Sequence, residues 1–305
     1  MPTATTNRLD LRALSIGPAV PPGPRAIEVH SVFRAAVNLR LEDCGILAFL
    51  AGPSGRGFPA ALTLESETDF RNWSVEAGAK GRLDATSLVI DARAGRVVVD
   101  LATARHLGPP TMPTVTAIGR AFGPTAAELE RIQETKGAEV RLGGLRGASA
   151  SAGPAARAIA QGLRLLERER GQSVTAGLRR MVGAGPGLTP SGDDFICGYL
   201  AAAACAPGSE DSPSFADLAR AVLAAVSATD ELSASMLRSA ARGLFPSVLV
   251  DLARAIGADN VALSVAALRE LCAWGHSSGA DMATGLLHGL RTRAEAKSRR
   301  MSYVP

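Results

Sequence analysis

A ten-residue pattern occurs twice in this chain, from Ser191 to Leu200 and from Ser278 to Leu287. Both copies read Ser-Gly-x-Asp-apolar-x-x-Gly-apolar-Leu. That grammar predicts the start of a buried helix, made twice. A Ser with an Asp three residues on forms a capping box, the carboxylate standing in for Glu or Gln. Ser191 and Ser278 are thus read as caps, with Asp194 and Asp281 as their partners. Gly198 and Gly285 follow the Asp by four residues and share its helix face, so another backbone can come close. Two such helix starts in one domain can face each other across a small polar site.

Capping and close packing explain each copy taken alone. The flanking residues ask for more. Gly183-Ala184-Gly185-Pro186-Gly187-Leu188-Thr189-Pro190 precedes the first copy, and Trp274-Gly275-His276-Ser277 precedes the second. Glycine there costs backbone entropy. It suggests amides that approach an anion. Gly187, Thr189, Ser191, Gly192, Ser277, Ser278 and Gly279 are therefore candidate substrate contacts. Asp193 is an extra carboxylate where the second copy has Ala280. The box does not need it, so Asp193→Asn is expected to spare stability. Asp193 and Asp194, with nearby hydroxyls, can hold a hard cation such as Mg²⁺. The glycine amides can instead hold phosphate or carboxylate, and the sequence leaves both uses open. Asp193, Asp194, Asp281 and His276 are the candidate catalytic groups, His276 as an acid–base or anion contact. Thr229 and Ser233, one turn apart, can add hydroxyls to the same pocket. Asn38 stands in apolar surroundings, where a buried amide needs partners.

Several function classes drop out. No two His or Cys residues show zinc-ligand spacing. There is no Gly-x-x-x-x-Gly-Lys-Ser/Thr loop. Ser191 does not lie in Gly-x-Ser-x-Gly. The net charge of +4 is modest for 305 residues, and Arg is dispersed, so nucleic acid is not an expected partner. Cys44, Cys197, Cys205 and Cys272 show no Cys-x-x-Cys spacing and read as reduced, buried thiols. No signal peptide is evident, and Phe195 to Ala206 is too short to span a bilayer. The expectation is a cytoplasmic protein off the membrane.

The fold class read from the chain is α+β: a small, mainly antiparallel β domain, then a mostly α-helical one. Residues 1 to 25 are Pro-rich near their end and read as an arm without helix or strand. Residues 26–110 carry short apolar runs broken by Gly and Pro. Among them Leu88 to Asp91 and Arg96 to Asp100 form a hairpin around Arg93-Ala94-Gly95. A barrel or a sandwich suits such runs. Gly108-Pro109-Pro110 marks the boundary. Helical signals dominate residues 111–305, which carry both motifs.

These segments resemble a bacterial family long catalogued as a domain of unknown function. Its signature Gly-x-Gly-Leu-Thr-Pro-Ser-Gly-Asp-Asp is matched by Gly185 to Asp194. Its Gly-His-Ser/Thr-Ser-Gly-x-Asp is matched by Gly275 to Asp281. Further matches are His30 to Asn38 and Thr229 to Gly243. One branch is similar to the AllH-type subunit of oxamate carbamoyltransferase, from anaerobic allantoin breakdown. The resemblance implies carbamoyl chemistry: oxalurate plus phosphate interconverting with oxamate plus carbamoyl phosphate. It implies work within a hetero-oligomer that includes acyl-CoA-synthetase-like subunits. It supplies no site residues, which rest on the reasoning above. The leading expectation is a subunit binding a small anionic or phosphorylated substrate at paired helix starts. The alternative is a non-catalytic partner or ligand-sensing subunit, in which the motifs fix structure and subunit contacts.

Overall fold

A computed structural model describes residues 7–42, 45, 47–52, 57–93, 95–136, 138–146, 152–168, 172–205 and 212–301. The chain divides into two units, Met1–Pro109 and Pro110–Pro305.

Among the described residues, the first unit contains β1 (Asn7–Ile16), β2 (Arg25–Val32), β3 (Ala36–Leu41), β4 (Leu47–Ala51) and β5 (Ala61–Leu64). β6 (Lys80–Leu83), β7 (Ser87–Ala92), β8 (Gly95–Asp100) and β9 (Arg105–His106) follow. The hydrogen-bonded order is β5-β4-β3-β2-β6-β7-β8-β1-β9, and β1 also pairs with β5. That last pairing closes eight strands into a barrel. The small, mainly antiparallel domain expected from the sequence is thereby corrected, while the α+β class stands.

Closure depends on β1. Asn7 to Arg12 run parallel to Gly95 to Asp100 of β8. Ala13, Ser15 and Ile16 then run antiparallel to Leu64, Thr63 and Leu62 of β5. Parallel pairings also join β4 to β5 and β1 to β9. Hairpin signals between sequence neighbours announce only antiparallel pairs. Parallel partners need a longer connection and leave no turn signature. β1 also overturns the reading of residues 1–25 as free of helix and strand. Leu11, Ala13 and Ser15 alternate with exposed Arg12 and Leu14, a half-buried strand pattern, and the prolines resume only at Pro18. Cys44, and Ala94 of the β7–β8 turn, lie outside the described residues.

The barrel interior follows from strand alternation. Val37 and Leu39 from β3, Leu88 and Ile90 from β7, and Val97 and Val99 from β8 are buried, with Leu50 and Leu62 beside them. Full closure leaves these strands without a sticky edge.

The second unit is helical: α1 (Phe122–Lys136), α2 (Pro154–Arg168), α3 (Gln172–Met181), α4 (Ser191–Cys205) and α5 (Phe215–Ala225). Then come α6 (Glu231–Ala241), α7 (Ser247–Gly257), α8 (Val261–Cys272) and α9 (Ser278–Met301). α4 is buried on every face for almost its whole length, as an all-round apolar helix must be. Its main neighbour is α9. Glycine sets how close they come. A Cβ on Gly198 would stand 1.9 Å from the Met282 carbonyl oxygen, and one on Gly285 would stand 2.0 Å from that of Phe195. Met282 occupies in the second motif the place of Phe195 in the first, so the contact is reciprocal. Cys197, Cys205 and Cys272 are buried free thiols. No helix among the described residues is long and apolar enough to cross a membrane.

Candidate functional site

The two motifs stand at the starts of α4 and α9, and the helix register differs from the predicted box by one residue. Asp194 N–H donates to the Pro190 carbonyl, and Asp281 N–H to that of Ser277. Pro190 and Ser277 are thus the capping positions, and Ser191 and Ser278 are the first helical residues. Asp194 and Asp281 fall one place too late for a box. A local pattern cannot tell these registers apart, because Pro190 also suits a helix start.

Freed from capping, the two carboxyls turn to each other's motif. Ser278 and Thr189 hydroxyls face Asp194, and Ser191 and Ser277 hydroxyls face Asp281. Thr189 Oγ1 and Ser278 Oγ share a hydrogen bond of 2.8 Å, which stitches the first loop to the second helix. Asp194 is fully buried and Asp281 is 1% exposed. These hydroxyls approach the carboxyls without full hydrogen-bond geometry: both oxygens of Asp194 and Oδ2 of Asp281 lack a hydrogen-bond partner among the described residues.

Burial therefore dominates their titration. It pushes the Asp194 carboxyl well above its ordinary range, against the Ser278 hydroxyl, with the charges of Asp281 and Asp193 adding to the rise. Asp281 is pushed by burial to about 7, against the Ser191 and Ser277 hydroxyls. Asp194 is thereby held toward its neutral form and Asp281 is about half-protonated near pH 7, so the pair can donate hydrogen bonds or protons.

Asp193 behaves differently. Its Oδ1 accepts from Gly183 N–H at 2.9 Å. Its Oδ2 accepts from Thr229 Oγ1 at 2.5 Å and Ser233 Oγ at 2.7 Å. Burial raises its pKa, opposed by Thr229, Gly183 and Ser233. Asp193 thus ties the glycine loop and the start of α6 to α4, which corrects its reading as dispensable for stability. Thr229 and Ser233 are spent on the same tie. A Mg²⁺ site at Asp193 and Asp194 does not fit these residues. The oxygens of Asp193 are taken by protein donors, and Asp194 is buried and disfavours charge. No group of three or more His, Cys, Asp or Glu able to hold a metal ion occurs among the described residues.

The paired glycines also differ from their reading as anion contacts. Gly192 N–H donates to the Ala184 carbonyl, and Gly279 N–H to that of Trp274. A Cβ on Gly192 would stand 2.0 Å from the Met181 oxygen, and on Gly279 1.8 Å from that of Leu271. These glycines let each helix start on the end of the helix before it. Gly187 is exposed, with a φ of 95° that suits glycine. His276 is exposed in the turn before α9. Asn38 belongs to the barrel unit, where Nδ2 donates to Ser31 Oγ at 2.9 Å.

Lys136 escaped the sequence reading. From the end of α1 its Nζ donates to the carbonyls of Cys272 at 2.6 Å and His276 at 3.0 Å. It fixes the turn that delivers Ser277 and Ser278. A lysine on a polar helix far away in sequence gives no local sign of this.

Two sequence models match the chain. Residues 181–290 match that of the oxamate carbamoyltransferase subunit AllH. Residues 8–106 match that of the AllH family N-terminal domain. Together they cover most of the chain. No solved structure matches it.

Proposed function

Because this chain belongs to the family of the oxamate carbamoyltransferase subunit AllH, we propose that it works as one subunit of a cytoplasmic carbamoyltransferase. Its partners in that hetero-oligomer are acyl-CoA-synthetase-like subunits, and the pathway is allantoin and purine breakdown. The reaction interconverts oxalurate plus phosphate with oxamate plus carbamoyl phosphate. The observation that carries the site assignment is the buried carboxyl pair, Asp194 and Asp281, under the hydroxyls of Thr189, Ser191, Ser277 and Ser278.

The half-exposed hydroxyls of Thr189, Ser277 and Ser278, with the Gly187 backbone, receive the anionic groups. A phosphate oxygen bonds to the ureido carbon of oxalurate. The bond from that carbon to the oxamate nitrogen breaks, and the nitrogen takes a proton. Asp281, half-protonated near pH 7, supplies that proton through Ser191 or Ser277, and the phosphate proton restores it. His276, exposed beside Ser277, serves the same traffic from the solvent side. Asp193 acts through position alone.

The test is turnover of oxamate and carbamoyl phosphate by the complex purified with its partners. Ser278→Ala and Asp281→Asn should each lower kcat by about 10²-fold while the complex still assembles. Wild-type turnover in both variants would instead support the non-catalytic subunit.

A further inference from the structure

The barrel unit holds a second polar cluster. β2 and β3 pair with a register shift between Val29 and Ser31, so His30 and Ser31 together oppose Asn38. In a regular strand His30 and Ser31 would point to opposite faces. A bulge re-aims side chains, and here His30 Nδ1 lies 3.0 Å from Ser31 Oγ. Asn38 Nδ2 donates to the same oxygen at 2.9 Å. Asn38 is buried, whereas His30 and Ser31 are half-buried. On its other side Asn38 pairs with Phe49 of β4, which meets Phe58 edge-on at 5.2 Å between ring centres.

A serine hydroxyl has one proton and two lone pairs. Asn38 occupies one lone pair. With the ring proton of His30 on Nε2, the Ser31 proton is directed at Nδ1. A hydroxyl held between an amide donor and an imidazole acceptor is arranged as an activated nucleophile. Pinning two strands together would need only the Ser31–Asn38 pair, with neither the histidine nor the bulge.

We propose that Ser31 is an acyl-accepting hydroxyl, with His30 as its base and Asn38 as its holder. Its substrates are activated carbonyl compounds, acyl or carbamoyl donors with an oxygen leaving group. Ser31 Oγ bonds to the carbonyl carbon, and the bond from that carbon to the leaving oxygen breaks. The Ser31 proton passes to His30 Nδ1 and on to the leaving oxygen. The assignment rests on the barrel alone and is independent of the carbamoyltransferase reading.

The experiment treats the full chain with 4-nitrophenyl acetate, follows nitrophenolate release, and maps the acetylated peptides. A stoichiometric burst is expected, with acetyl on Ser31. Ser31→Ala should abolish that label, and His30→Gln should slow it by about 10²-fold. An unlabelled Ser31 in the wild-type chain overturns the proposal, as does an equal rate of Ser31 labelling in His30→Gln. Should Ser31→Ala fail to fold, the wild-type map and the His30→Gln rate still decide.

Discussion

Asp281 makes the stability of the helical unit depend on pH. Its carboxyl is lifted from an ordinary 3.8 to about 7. Its folded pKa lies above its unfolded one, so the folded state binds the extra proton between those values. That contribution is fully present below about pH 4 and is lost as pH rises through about 7. Asp194 and Asp193 shift in the same direction. The melting temperature should therefore fall between pH 5 and pH 8, and Asp281→Asn, which mimics the neutral acid, should flatten that fall. A series of melting curves across this range checks both. Asp193 calls for a different variant. Asp193→Ala leaves Gly183 N–H and the Thr229 and Ser233 hydroxyls without their acceptor, at about 1–3 kcal/mol for each group that stays buried. Chemical denaturation should show a loss of at least that size, where a solvated first-turn carboxylate would show about 0.3–1 kcal/mol. Much of the candidate site was legible in the sequence, because Ser191, Asp194, Ser278 and Asp281 lie in local repeats. The rest depended on tertiary geometry. One step of helix register separates a capping carboxylate from one that crosses to a neighbouring helix, and no local pattern encodes that the oxygens of Asp193 are already taken.

The helix pair α4–α9 is set by the two glycines at its crossing. Even alanine is too large there, since a Cβ would come within 2.0 Å of a carbonyl oxygen at either position. Gly198→Ala and Gly285→Ala should each destabilise by about 1–3 kcal/mol through overpacking. Gly123→Ala is the control. It lies in the first turn of α1, and nothing within 4 Å meets its Cβ. It should be neutral or raise stability by up to about 1 kcal/mol. Thermal melts of the three variants separate close packing from helix propensity. These helices were readable because their apolar period and small residues are local. β1 was not, because its partners β5 and β8 lie far along the chain and the prolines from Pro18 onward, beyond the strand, drew attention to the wrong part of residues 1–25.

Each unit buries its own apolar core, one inside the barrel and one around α4 and α9. Residues 110–305 expressed alone should accordingly fold, with a helical circular dichroism spectrum and a cooperative melt. A broad, non-cooperative transition would contradict this. The crossing of α4 and α9 has a further consequence. Each helix offers the other the same patch, glycine to carbonyl in both directions, which is the self-complementary contact of a two-fold dimer. On one chain the two halves meet at a fixed effective concentration set by the tether. Dilution cannot part them, so a site made from both halves survives at protein levels where a free dimer would fall to monomers.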